Sequence, residues 1–126
     1  MRGKILIVDD EQAMCEMLAD DLKRNGFQPT WCNSSEKAID LLKAQSFDVL
    51  LADLNMPNMN GMEFLKIIKG NQKTSHIPFI MLTVEAIQKT MNKALSFDVD
   101  SYIVKPVSEQ QLMEEVWRIF HRHQRA

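Results

Sequence analysis

The sequence predicts an α/β fold: a parallel sheet covered by helices on both faces. Three observations carry that prediction. Five short apolar runs recur along the chain, stretches with apolar residues three and four apart stand between them, and the connections are short. Continuous apolar runs suit strands buried on both faces, and parallel strands joined through helices cross over with a right hand.

The first strand is predicted over Ile5 to Val8, a β-branched and leucine run closed by Asp9 and Asp10. From Glu11 to Asn25 the residues Met14, Cys15, Leu18 and Leu22 mark one helical face, and Gly26 supplies a left-handed stop. Phe27 to Cys32 is the second strand, and Pro29, which has no N–H for a ladder, places it near a sheet edge. Asn33 with Glu36 reads as a capping box for a helix that turns Ala38, Leu41 and Leu42 inward. Val49 to Ala52 forms the third strand and ends at Asp53. Asn55, Pro57, Asn58, Asn60 and Gly61 then have the composition of a loop, which leads to a helix through Phe64, Leu65 and Ile68 that stops near Gly70. Phe79 to Leu82 is the fourth strand, with Thr83 at its end. Ile87, Met91 and Leu95 give the fourth helix its period, although no glycine terminates it. Tyr102 to Val104 makes a short fifth strand. Lys105-Pro106 follows, then Ser108 with Gln111 as a second capping box, and Leu112, Val116, Ile119 and Phe120 carry the last helix inward.

A chain of 126 residues with 45% hydrophobic content supports one domain, spanning 1–126, with one sizeable core. Its formal net charge of −2 with 25% charged residues argues against a disordered chain or a strongly basic nucleic-acid binder. Cys15 and Cys32 sit inside apolar patterns, which points to reduced thiols rather than a bridge. The apolar run near the start is too short for a signal-peptide core or a membrane span, so a cytoplasmic, membrane-free protein is expected.

In an open α/β sheet, ligands collect beyond the carboxyl ends of the strands. Asp9, Asp10, Asp53, Thr83 and Lys105 each stand at such an end. Carboxylates gathered there repel, by about 4 kcal/mol for two unit charges about 4 Å apart at an effective dielectric of about 20. A positive partner is therefore required. Oxygen donors without His or Cys favour a hard ion, and Mg²⁺ is often held by one or two carboxylates, a carbonyl and waters. Lys105 supplies a second positive charge. A carboxylate can itself be the nucleophile of phosphoryl transfer, with Lys105 and the Thr83 hydroxyl placed to stabilise the incoming oxygens.

The segments IVDDE, LLADLNMPNMNG, MLTVEA and YIVKP, in this order and at these separations, resemble the response-regulator receiver family across essentially the whole chain. The single-domain chemotaxis regulators are the nearest likeness, through NMPNMNG and the Glu85-Ala86 pair. The resemblance implies a flavodoxin-like (βα)5 fold, a doubly wound five-stranded parallel sheet in the order 2-1-3-4-5; a chemotaxis regulator is a standard example of that order. It also implies a switch. Asp53 would accept a phosphoryl group from a sensor histidine kinase, a phosphotransfer protein or a small donor. Mg²⁺ would be held by Asp10, Asp53 and the Asn55 carbonyl, with Asp9 acting through water. Thr83 would be the switch hydroxyl, Lys105 the phosphoryl clamp and Tyr102 the aromatic that changes rotamer. The Lys105-Pro106 bond resembles the family's cis peptide. The fourth helix, fifth strand and last helix would present the altered surface to a downstream protein or a fused output domain, without direct nucleic-acid binding. The protein would catalyse only its own phosphoryl transfer and slow autodephosphorylation.

Two positions depart from the family pattern. Val84 stands where a small residue usually follows the switch hydroxyl, and Asp98 stands where a glycine commonly precedes the last strand.

Taken singly, each site residue has a plainer reading: Asp9-Asp10 and Thr83 as helix caps, Asp53 as a turn residue, Lys105 as a solvated cation. Their meeting at one sheet end favours a site. Tyr102 alone reads more readily as packing, and only the family resemblance makes a switch role as good a reading. His121, Arg122, His123 and Arg125 complement a helix C-terminus. Most methionines at helical spacing are core filler, with Met56, Met59 and Met62 beside the acceptor loop as the exception. Among competing functions, an aspartyl-phosphate phosphohydrolase calls for an insertion to cap its substrate, and none is present. A phosphorylation-independent binding module predicts loss of an acid, Thr83 or Lys105. A flavin binder calls for a Ser/Thr/Gly-rich cradle after the first strand.

Overall fold

The apolar runs become strands because a sheet clad on both sides leaves no polar face to fill. The computed structural model describes residues 3–84 and 99–124, with side chains to residue 121. The predicted fourth helix, with Ile87, Met91 and Leu95, lies outside the described residues, as do Glu85, Ala86 and Asp98. Strands β1 (Lys4–Val8), β2 (Gln28–Cys32), β3 (Val49–Asp53), β4 (Phe79–Thr83) and β5 (Ser101–Val104) form one parallel sheet in the order β2-β1-β3-β4-β5. Every residue of β3 and β4 is buried. Pro29 stands opposite Ile5 on the edge strand β2, the position its missing N–H demanded.

Helices α1 (Gln12–Arg24), α2 (Ser35–Ala44) and α3 (Gly61–Lys69) and a C-terminal helix (Glu109–Gln124) cover the sheet. Strand alternation sorts the core into two layers. One layer takes Ile5, Ile7, Val49, Leu51, Ile80, Leu82 and Ile103 and packs them with Cys15, Leu18 and Leu22 of α1 and Leu112, Val116 and Ile119 of the C-terminal helix. The other takes Leu6, Val8, Leu50, Ala52, Phe79 and Met81 and packs them with Ala38 of α2 and Phe64, Leu65 and Ile68 of α3.

The ends of the helices show where local chemistry acted. Gly26 has φ 88°, a left-handed conformation that glycine adopts without a Cβ penalty, and its N–H donates to the Lys23 carbonyl at 3.1 Å. Asn33 does not cap α2. Ser34 does, its Oγ accepting the Lys37 N–H at 3.2 Å, while Asn33 Oδ1 accepts from Lys37 Nζ at 2.9 Å. The two residues have similar capping preference, so spacing alone could not choose between them. A full capping box appears instead at α3, between Asn60 and Glu63. At the C-terminal helix, Ser108 Oγ accepts the Gln111 N–H at 3.1 Å, as the sequence predicts. Both cysteines are free and buried. Among the described residues, no helix is long and apolar enough to cross a membrane.

Candidate functional site

The register of the sheet brings four strand ends together. Val8 pairs with Ala52, so Asp9, one residue on, lies beside Asp53. Asp53 pairs with Leu82 on β4, and Thr83 pairs with Val104 on β5, one residue before Lys105. The Lys105 N–H donates to the Thr83 carbonyl at 2.7 Å, which prolongs the ladder past β5 and turns the lysine toward the carboxylates. Lys105-Pro106 is a cis peptide, as the resemblance implied.

Lys105 Nζ lies 2.9 Å from Asp9 Oδ2, 3.5 Å from Asp53 Oδ2 and 3.8 Å from Glu11 Oε1. Asp9 is wholly buried, Asp53 nearly so and Asp10 exposed. Asp9 Oδ1 also accepts the Glu11 N–H at 2.9 Å, so this carboxylate is spoken for on both oxygens. Glu11 is the N-cap of α1, and its side chain makes no capping bond. Reading Asp9-Asp10 as no more than a helix cap leaves the Lys105 contact unexplained.

One oxygen from each of Asp9, Asp10 and Asp53 lies within 4.8 Å of the others. Lys105 offsets one of the three charges, so two remain. Burial, then the Asp9 charge, with a smaller push from Asp10, raises the Asp53 carboxyl to about 6; Lys105 and the Asn55 N–H, which donates to Asp53 Oδ1 at 3.2 Å, act against the rise. Lys105 loses by burial but gains more from its hydrogen bond to Asp9 and from the charges of Asp53, Asp9 and Glu11. Its ammonium is held above the ordinary lysine range. A set made only of carboxylates, with two negative charges in excess, fits a hard divalent cation such as Mg²⁺.

Thr83 is buried at the end of β4. By strand alternation it shares a face with Met81 and with Tyr102, which is half-buried and packs against the layer under α2 and α3. Asp53 and Lys105 alternate with the opposite layer. The predicted switch pair therefore meets the charged group at the sheet edge rather than within one face. Val84, one residue further, is 63% exposed.

The sequence did not single out Glu11 as a neighbour of the lysine, nor Gly61 as a site residue. A Cβ on Gly61 would stand 2.4 Å from the Asp53 carbonyl oxygen and 2.7 Å from Leu54 Cα, so only glycine allows α3 to start against the end of β3. Its signal was present as the glycine closing NMPNMNG. His121 stacks on Trp117 with ring centroids 4.6 Å apart.

The family model for the response regulator receiver domain matches residues 5–117. Over 120 residues the chain is 37% identical to chemotaxis protein CheY-3 of Vibrio cholerae, covering 94% of this chain and 92% of that protein. It is 35% identical over 120 residues to chemotaxis protein CheY of Pseudomonas aeruginosa, covering 94% and 97%. The solved signal receiver domain of a signal transduction histidine kinase from Syntrophus aciditrophicus superposes with a TM-score of 0.90 at 28% identity, covering 98% of this chain and 94% of that one.

Proposed function

This chain belongs to the response-regulator receiver family and is a phosphorylation-activated switch, and we propose that Asp53 is its phosphoacceptor within a single domain spanning 1–126. The observation that carries the assignment is the Lys105 ammonium 3.5 Å from a buried Asp53 carboxylate whose second oxygen accepts the Asn55 N–H.

In the reaction, an Asp53 oxygen attacks the phosphorus of a phosphohistidine or small acyl phosphate. A new C(O)O–P bond forms as the donor's P–N or P–O bond breaks, and that electron pair leaves with the donor. Lys105 is placed to balance the charge on the transferred oxygens, and Asp9 holds it there. The Thr83 hydroxyl donates to one of those oxygens once the group is on Asp53. Asp10 and Asp53 directly, Asp9 through water and the Asn55 carbonyl are the residues that would hold Mg²⁺. When bound, the ion supplies charge neutralisation for the phosphoryl oxygens and lets the acidic cluster stay ionised.

The response is a shift between two packings of the same fold. Drawing Thr83 toward the phosphoryl group frees room on the face that Tyr102 shares, and the surface of β5 and the helices beside it changes for a partner. That partner is a downstream protein or fused output domain, and the phosphoryl source is a sensor histidine kinase or phosphotransfer protein. The protein turns over only its own phosphoryl group, and a cytoplasmic location suits such exchange.

Intact-mass measurement after incubation with a small acyl phosphate and Mg²⁺ tests the assignment. One labile phosphoryl adduct is expected in the wild type, with none in Asp53→Asn and none in the presence of chelator. Full labelling of Asp53→Asn would sink the acceptor assignment, and undiminished labelling in chelator would sink the metal.

A further inference from the structure

Ser35 is the first residue of α2, and its side chain is 1% exposed although the helix is capped by Ser34. Its Oγ donates to the Met59 carbonyl, 3.1 Å away and 24 residues further along the chain. Met59 lies in the loop that leaves Asp53.

That loop is secured at both ends. The Leu54 N–H donates to the Leu82 carbonyl at 2.7 Å, the Gly61 N–H to the Leu54 carbonyl at 2.8 Å, and the Asn60–Glu63 box closes the exit. Between these ends runs the stretch that bears on the chemistry. It includes Asn58 in the left-handed region at φ 67° and Asn55, whose N–H holds Asp53 Oδ1. The Ser35 hydroxyl reaches this middle stretch from α2, and Met56 and Met59 pack their side chains into the layer beneath the same helix.

We propose that Ser35 is a positioning residue for phosphoryl transfer: by holding the Met59 carbonyl it fixes the acceptor loop, and so keeps the Asn55 N–H on Asp53. The inference rests on Asp53 being the acceptor. Its physical basis is the steep dependence of such reactions on geometry, since a displacement of about 1 Å can cost on the order of a hundred-fold in rate. Without the hydroxyl, the Met59 carbonyl loses its side-chain donor and the loop loses its tie to α2.

A buried serine could instead serve stability alone, and the molecule contains a matched control. Thr74 is also buried, and its Oγ1 donates to the Ile68 carbonyl at 2.8 Å, at the far end of α3 from the site. Ser35→Ala, Ser35→Cys and Thr74→Val are compared with wild type and Asp53→Asn. Two quantities are read: the rate of labelling by a small acyl phosphate with Mg²⁺, and the amide hydrogen exchange of Asn55. Both Ser35 variants should label three- to ten-fold more slowly and exchange Asn55 faster, whereas Thr74→Val should lose thermal stability and change neither. Ser35→Cys keeps nearly the side-chain volume, so it carries the test if Ser35→Ala does not fold. Wild-type labelling and exchange in the Ser35 variants would overturn the proposal, as would equal slowing in Thr74→Val. Labelling of Asp53→Asn would instead overturn the acceptor reading on which it rests.

Discussion

On the face packed by α1 and the C-terminal helix, alternation brings Asp9, Asp53 and Lys105 to the carboxyl edge above a bed of isoleucine, leucine and valine. On the face packed by α2 and α3 it brings Thr83, with Tyr102 on the neighbouring strand, above a bed that includes Met56, Phe64 and Met81. The first face is organised by charge: the Lys105 ammonium lies between two buried carboxylates, Asp9 and Asp53, that repel each other. Among the described residues, the second has no such charged group and is richer in methionines, Met56, Met59, Met62 and Met81, whose flexible side chains can refill space at small cost. The division separates the work of the switch. On the proposed function, phosphoryl transfer would take place on the first face and the response would spread through the second. Substitutions on the two faces should therefore have different consequences.

The largest effect should come from removing the cation on the charged face. Lys105→Met leaves Asp9, wholly buried, beside Asp53 with no ammonium between them. Breaking a buried pair from one side typically costs about 3–5 kcal/mol, and urea denaturation in chelator at pH 7.5 should show a loss near the lower end of that range. A loss below about 1 kcal/mol would mean that the face is not held by charge.

A comparable change of opposite sign is expected at Asp53. Its folded value of about 6 lies above the ordinary 3.8, so between these values the folded chain keeps a proton that the unfolded chain has released. Without metal, the contribution of Asp53 to stability therefore falls as pH rises from about 4 through about 6, and the deficit persists above that. Asp53→Asn removes the deficit. It should be more stable than wild type by roughly 2–3 kcal/mol at pH 7.5 in chelator, equal to it below pH 4, and closer to it when Mg²⁺ is added. A pH-independent difference would show that burial of a charge is not the cause.

On the adaptable face, Thr83→Ala should be milder for chemistry and decisive for the response. Loss of one hydrogen bond to the phosphoryl oxygens, worth about 1 kcal/mol, slows labelling by about five-fold. Chemical shift changes produced by a stable phosphoryl analogue should spread through residues 83–107 in wild type and shrink to the acceptor loop in the variant. Changes confined to Asn55 to Asn60 in the wild type itself would break the link between the two faces.

The fold was legible because β1, β3 and β4 are each built on a continuous apolar run ended by a polar residue, and those terminal residues form the candidate site. Asp9, Asp53, Thr83 and Lys105 needed only the inference of parallel strands to be placed at one edge. The ladder order came through the family resemblance, since apolar runs do not say which strand neighbours which. Tertiary contacts were not legible. Nothing local distinguishes Ser35 from Ser34, yet one tethers a loop 24 residues away and the other caps its helix. Likewise, Glu11 comes near Lys105 only because α1 starts beside β5's continuation. The distinct chemistry of the two faces was also hidden, since it depends on which parity of each strand faces which helices.

The smallest predicted effect lies where the faces meet. Val84 follows Thr83 at the rim, and its 63% exposure argues that its γ-methyl groups stand in solvent rather than in the core. A β-branched side chain has few rotamers by which to move aside, so at this rim it is expected to narrow the approach of a donor or an attacking water to Asp53. A steric penalty of about 1 kcal/mol corresponds to roughly five-fold in rate. Val84→Ala should therefore speed both labelling by a small acyl phosphate and spontaneous dephosphorylation by two- to five-fold. Because the change lies outside both packed layers, it should leave thermal stability and the analogue-induced shifts at Tyr102 as they are. Equal acceleration of both reactions with an unchanged response would place Val84 at the entrance, belonging to neither face. If both rates stay at the wild-type value, the approach is open and Val84 gates nothing; if the Tyr102 shifts change as well, the rim is part of the adaptable face and the division drawn here is too sharp.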